Sequence, residues 1–316
     1  MKLEEISEQL NVSAQCRKYG LSLWQCPQFL FLIMGIIIVV TAITVYWIGT
    51  KYIGDPYLVS LIILGVSAVL FVIDFTISHS FEKLAEANKI KSEFISIVSH
   101  QLRTPISNLK WAIELLMSGR LGKIEAKQTE YFKILKENIG RMGELVKDLL
   151  MVSRIEAQTL FLKEKRFSLS DMIKELIVAF RPLAKASNIT ISFKNQKDLP
   201  QIMADPFQIR QVIENLLDNA IRYTKEKGKV KLKLKLEHDN FYFEISDAGV
   251  GIPQKDKKYI FQKFFRTDNA MKYQTQGSGL GLYIAKSIIK KSKGKIGFKS
   301  QEGQGSTFWF TLPIKR

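Results

Sequence analysis

His100 stands in the stretch VSHQLRTPIS, residues 98–107, with Gln101 beside it and Thr104 one helical turn further on. A neutral imidazole nitrogen is a competent nucleophile toward an electrophilic phosphorus, provided that it is exposed and that its second ring nitrogen has a hydrogen-bond acceptor. A lone histidine on a helix is ordinarily a solvated or packed residue, and His79 and His238, the latter in the turn EHDN, have no setting that suggests more. His100 is different. It lies two residues from both Val98 and Leu102, which turns it roughly 200° from the apolar stripe of its helix and leaves it open to solvent. Pro105 has no N–H for the Gln101 carbonyl, so the helix is expected to loosen just past the histidine.

More than a hundred residues downstream lies a second group with chemical potential. Asn215 and Asn219 are four apart on one helical face, where two amide side chains can jointly hold a hydrated cation. DAGVG at 247–251 and GSGLG at 277–281 follow. Each alone could be a turn, but Gly249, Gly251, Gly277, Gly279 and Gly281 permit close backbone approach, and a helix starting near Leu280 would offer free N–H groups to an anion. No GxxxxGK[ST] occurs, so the residues describe a nucleotide cradle other than a P-loop.

These residues need elements to hold them. The 316 residues are 46% hydrophobic with a net charge of +17, which excludes a disordered polymer and suggests anionic partners, either nucleic acid or the inner face of a membrane. No charge occurs between Lys18 and Lys51, and the run Phe29 to Gly49 is long enough to cross a bilayer. A second run extends from Tyr57 to Ile77 after the short turn TKYIGDP, giving a transmembrane hairpin. Arg17 and Lys18 precede the first span and Lys83, Lys89 and Lys91 follow the second, against Lys51 alone in the loop. Both termini are therefore expected on the cytoplasmic side, with Tyr46, Trp47 and Tyr52 at the outer interface and Trp24 at the inner one. Asp74 lies near the inner end of the second run, where reaching out to the interface is favoured over a sensing role. Cys16 and Cys26 fit neither a zinc site nor a disulfide scaffold and are read as packing residues.

Beyond Ser80 the apolar spacing becomes helical. Leu102, Ile106, Leu109, Ile113 and Leu116 form a heptad seam, SGRLG breaks it, and Phe132, Leu135, Ile139, Met142, Val146 and Leu149 form a second one. Two such helices make an antiparallel hairpin with an uncovered apolar face; dimerisation into a four-helix bundle is the economical cover, and packing on the chain's own second domain is the other. From about residue 160 strands and helices mix. Ser168 and Asp171 open a helix running to about Lys185, NITISF is a strand, Asp205 to Thr224 a helix, KVKLKLKLE and NFYFEISD strands, Leu280 to Ser292 a helix, and GKIGFKS and GSTFWFTL the last strands. The order suggests an α+β sandwich. The lysines of KVKLKLKLE read as the solvated face of a sheet, which weakens a nucleic-acid reading.

In sequence order these pieces resemble the sensor histidine kinases of bacterial two-component systems. FISIVSHQLRTPISNL is similar to the family's H-box, QVIENLLDNAIRYT to the N-box, DAGVGIP to the G1 box, FQKFFR to the F-box, GSGLGL to the G2 box and GQGSTFWF to the terminal glycine-threonine motif. The resemblance implies ATP as phosphoryl donor, Mg²⁺ as its counterion, His100 as acceptor and a response regulator as next recipient. It implies that Asn219 holds the Mg²⁺ with Asn215 beside it, that Arg222 and Tyr223 approach the phosphates, and that Asp247 accepts from the adenine amino group. Gly249 and Gly251 would line the adenine pocket. Gly277, Gly279, Leu280 and Gly281 would flank a lid over the triphosphate with Lys263 and Arg266 on its approach, and Thr307 would come from the terminal motif.

Most relatives carry Glu or Asp after the histidine; Gln101 can accept an N–H but cannot take a proton, so slower autophosphorylation is expected. Thr104 matches the family position that orients water for dephosphorylating the regulator, so a bias toward phosphatase activity is a further expectation. Gyrase-like and Hsp90-like ATPases share the Bergerat fold but carry Glu, as a general base, where this chain has Asn215. A Bergerat ATPase and a kinase-weak scaffold are the alternative classes.

The expected fold is a membrane-anchored α plus α+β chain: cytoplasmic segment 1–28, transmembrane helices 29–50 and 57–78 around an external loop 51–56, and a signalling helix 79–90. A dimerisation and phosphotransfer hairpin 91–158 and a Bergerat-type α/β sandwich 159–316 complete it. The expected location is a bacterial plasma membrane, as a homodimer, with no direct nucleic-acid binding.

Overall fold

The computed structural model describes residues 27–225, 227–267 and 277–314. The readings made for Cys16, Arg17, Lys18, Trp24 and Cys26 lie outside these residues. By contacts the chain forms two units, one ending at His100 and including Glu156–Thr159, the other comprising Gln101–Ile155 and the residues from Leu160 onward.

In the first unit, α1 (Pro27–Tyr52) and the start of α2 (Pro56–Met117) are the two apolar runs. Both are long and apolar enough to cross a membrane, and almost none of either is buried within the chain. A core helix of a globular domain would be mostly covered. The two helices meet where Val59 packs against Gly49; a Cβ there would sit 2.7 Å from a Val59 methyl. Asp74 is only 1% exposed and accepts a hydrogen bond from Ser78 Oγ at 3.3 Å. This corrects the expectation that its carboxylate reaches for the interface. Four- and three-residue steps place Asp74 on the stripe of Val59, Ile63 and Leu70, which helical phase turns inward.

In the second unit α2 continues through Pro105 to Met117, and α3 (Ala126–Glu156) returns antiparallel after the turn at 118–122. Pro105 does not end the helix. Ile106, Ile113, Ile139 and Val146 pack together, with Met117 and Phe132 beside them. The alternate seam positions Leu102, Leu109, Leu116, Leu135 and Met142 stay 38–51% exposed. The hairpin thus satisfies half of its own seam. Further along α3, Met151 and Val152 join the main core, so the chain's own second domain covers that end.

That domain is built from β1 (Lys165–Phe167), α4 (Leu169–Ala186), β2 (Thr190–Asn195), β3 (Ile202–Ala204), α5 (Pro206–Tyr223), β4 (Lys229–Glu237), β5 (Asn240–Ser246), α6 (Gly281–Lys291), β6 (Lys295–Gln301) and β7 (Gly305–Pro313). Ser168 caps α4 by accepting from the Asp171 N–H at 3.2 Å, as the Ser-x-x-Asp spacing predicts. The main sheet has the order β2-β4-β5-β7-β6, parallel only between β2 and β4. α4, α5 and α6 pack on one face of it around Phe241, Phe243, Phe310, Ile209, Ile213 and Ile284. β1 and β3 form a separate antiparallel pair that the sequence reading omits. Three residues each are too few to show a period.

Candidate functional site

α5 is fixed at its start by Asp205, whose Oδ1 accepts from the N–H groups of Phe207 at 3.0 Å and Gln208 at 3.2 Å while Pro206 takes the first turn. Its apolar face carries Val212, Leu216 and Leu217 into the core, and the 3.6-residue period then puts Gln211, Asn215, Asp218, Asn219 and Arg222 along one side. That side forms a wall of a cavity of about 710 Å³. Opposite it lie Asp247, Val250 and Gly251 after β5, Ser306 and Phe308 of β7, Arg266, and Gly277, Ser278, Gly279, Gly281 and Leu282; Arg141, Glu144 and Asp148 of α3 complete the rim.

The cavity therefore brings together Asn215, Asn219, Arg222, Tyr223, Asp247, Gly251, Arg266, Gly277, Gly279 and Gly281. Asn215 Nδ2 donates to the Gly281 carbonyl at 3.3 Å, tying α5 to the first turn of α6. Asn219 lies one turn on. Arg222 is held by its own helix, its Nε donating to Asp218 Oδ1 at 2.7 Å and Oδ2 at 2.6 Å. Arg266 Nη1 donates to the Gly277 carbonyl at 3.2 Å. Among the described residues no side chain caps α6 at Leu280, so its first N–H groups face the glycine segment with the positive end of the helix dipole.

Asp247 has the most distinctive electrostatics. The N–H groups of Gly249 (2.9 Å) and Ser306 (3.1 Å) both donate to its Oδ1. Burial pushes its carboxyl up to about 6, against the pull of those two donors. Gly249 and Gly251 are required here by the protein itself. A Cβ on Gly249 would collide with the Tyr223 carbonyl, and one on Gly251, which has φ +66°, with the Gln301 carbonyl.

Gly249, Lys263, Leu280 and Thr307 do not line the cavity. Lys263 Nζ lies 5.4 Å from the centre of the Tyr283 ring. Leu280 is buried and its N–H donates to Ser278 Oγ at 3.2 Å. The Thr307 hydroxyl pairs with Ser246 at 2.8 Å on the far side of the sheet. Strand alternation is the reason: Ser306 and Phe308 face inward, so Thr307 cannot. Two contributors escaped the sequence reading. Gln211 Oε1 is buried at the cavity with no hydrogen-bond partner among the described residues, and one turn before Asn215 its spacing was a usable signal. Asp148, by contrast, accepts from Ser278 Oγ at 2.9 Å across 130 residues, which no local pattern announces.

His100, Gln101 and Thr104 occupy α2, and all three are exposed. The turn of His100 away from the apolar stripe is as the helical spacing predicts.

A family model for the His Kinase A (phospho-acceptor) domain matches residues 90–158. One for the Histidine kinase-, DNA gyrase B-, and HSP90-like ATPase matches residues 204–316. The chain is 34% identical over 231 residues to the circadian input-output histidine kinase CikA of Synechococcus elongatus, covering 72% of this chain and 30% of that protein. It is 32% identical over 250 residues to the alginate biosynthesis sensor protein KinB of Pseudomonas aeruginosa, covering 79% of this chain and 40% of the relative. The chain thus spans well under half the length of these curated relatives. Among solved structures, full-length ShkA in complex with AMPPNP matches with TM-score 0.60 and 29% identity, over 70% of this chain and 46% of that one.

Proposed function

The chain belongs to the sensor histidine kinases of two-component systems, and from that premise we propose that it moves the γ-phosphoryl group of ATP to His100 and then to an aspartate of a separate response regulator. The observation that carries the reading is the cavity, which sets an acceptor carboxylate, two amides and an uncapped helix N-terminus around one space. In this reading the free Oδ2 of Asp247 accepts from the adenine amino group, while the start of α6 and the Gly277–Gly281 backbone hold phosphates.

The donor set fits a cation brought by the nucleotide. Asn219 and Asn215 offer neutral oxygens, the unpartnered Gln211 Oε1 lies beside them, and no group of three His, Cys, Asp or Glu able to cage a metal occurs among the described residues. Mg²⁺ bound with the triphosphate supplies positive charge that offsets the charge of the transferring group. An imidazole nitrogen of His100 forms the bond to the γ-phosphorus as the bond to the ADP oxygen breaks. Gln101 orients the other ring N–H without taking its proton, and that proton leaves to water. Arg222 is paired with Asp218 and releases it if it is to reach a phosphate.

Two coarser expectations extend the proposal. α1 and the first part of α2 act as membrane spans with both termini cytoplasmic, and residues 91–158 and 159–316 act as phosphotransfer and ATP-binding domains. The exposed half of the hairpin seam is covered by a second copy, giving a four-helix bundle.

The test is incubation of the full chain with γ-labelled ATP and Mg²⁺, followed by acid and alkali treatment. Acid-labile, alkali-stable label on the parent that is lost in His100→Ala is the expected result. Free phosphate without label would favour an ATPase, and neither would favour a scaffold.

A further inference from the structure

Among the described residues, helices pack on one face of the main sheet only, and the other face is strongly basic. Four lysines of β4, Lys229, Lys231, Lys233 and Lys235, alternate with its buried leucines and valine. The register adds Lys194 from β2 at one side, and Lys295 and Lys299 from β6 at the other. Against these seven lysines the same positions of the described strands carry two carboxylates, Glu237 and Glu244. Both are engaged, Glu237 with Lys235 and Glu244 as acceptor for the Tyr242 hydroxyl at 2.7 Å.

One feature goes beyond an ordinary solvated sheet. Lys194 stands beside Lys233, which has Glu244 on its other side, but the middle of the face is aromatic. Tyr242 and Trp309 stack with ring centres 6.1 Å apart and planes 19° apart. The indole lies over Gly297, where a Cβ would collide with it. The result is a flat aromatic plate ringed by cations.

We propose that this face docks on the acidic headgroups of the membrane's inner leaflet. Its charge complements an anionic bilayer, and indole and phenol rings favour the headgroup depth. The proposal rests on the reading of α1 and α2 as membrane spans, which keeps a bilayer within reach. The stretch between Ile77 and His100 is about 22 residues, roughly 33 Å as helix. Docking by this face leaves the cavity free, because the cavity opens among α5, α6 and the inward residues of β7.

The test uses the full chain reconstituted in nanodiscs of phosphatidylcholine, or of an equal mixture with phosphatidylglycerol. Amine-reactive labelling is read lysine by lysine by mass spectrometry. Lys194, Lys231 and Lys299 should be labelled severalfold more slowly in the anionic discs, while Lys174 and Lys185 on α4 do not change, and high salt should remove the difference. The triple substitution Lys231→Gln, Lys233→Gln, Lys299→Gln should restore labelling of Lys194 with nucleotide affinity intact. Equal labelling in both discs, with the chain inserted, overturns the docking but leaves the membrane reading standing. Protection by added RNA and not by lipid overturns it in favour of a nucleic-acid surface. A chain that stays in solution without discs or detergent overturns the membrane reading, and the docking with it.

Discussion

In the proposed phosphoryl transfer to His100, Gln101 is the side chain on which the rate turns. Its amide can orient the His100 ring but not accept its proton, and positioned general bases typically contribute about 10²–10⁴-fold. Gln101→Glu should therefore speed autophosphorylation by about tenfold or more in single-turnover assays, and an unchanged rate would show that water already serves. Asp247 gives a pH signature. Its folded value is about 6 against an ordinary value of 3.8, so between those values the folded chain keeps a proton that the unfolded chain has lost. Its contribution to stability is full below the lower value and is lost as pH rises through about 6, by an amount on the order of 3 kcal/mol. Asp247→Asn should remove this loss, so thermal melts should show the variant gaining on the parent at pH 7.5 more than at pH 5. Nucleotide affinity should run the other way. The ionised carboxylate is the better acceptor for adenine, so ATP binding to the parent should weaken as pH falls through about 6, and the variant should bind about tenfold or more weakly throughout.

The helical hairpin separates two kinds of apolar residue that the sequence does not distinguish. Ile113 is buried within the hairpin and Leu109 is half exposed on the same seam. Ile113→Ala should cost about 2–4 kcal/mol in chemical denaturation. Leu109→Asp should leave helicity unchanged by circular dichroism while shifting sedimentation toward the monomer; a dimer that survives it would refute the four-helix bundle. The link between α3 and the glycine segment is the other contact decided at this scale. Burial raises the Asp148 carboxyl from its usual range, and the Ser278 hydrogen bond pulls it back. Asp148→Ala and Ser278→Ala should change ATP affinity in the same direction, and the double variant should add little, because both singles remove one bond.

At the scale of the whole chain, the two proposed spans with a short loop between them predict a simple topology. A cysteine at Gly54 should react with an impermeant maleimide added to intact cells, and one at His238 should react only after lysis. The reverse pattern would invert the orientation given by the flanking cations. The net charge of +17 then acquires a location, since seven of the lysines share one sheet face.

Local periodicity and motif order were enough to place α5 between Asp205 and Thr224, α6 between Leu280 and Ser292, the two seams, the outward turn of His100 and the order of the nucleotide-site motifs. Those are properties of near neighbours along the chain, where spacing alone sets which face a side chain occupies. What only the tertiary structure decided concerns partners distant in sequence. It buried Asp74, put Ser306 and not Thr307 beside Asp247, paired Arg222 with Asp218, and brought Asp148 to Ser278. It also gave Gly249 and Gly251 their reason, the carbonyls of Tyr223 and Gln301. Packing between remote elements selects among contacts that a local pattern leaves equivalent, and so half of each heptad seam is buried while the other half is left for a second surface.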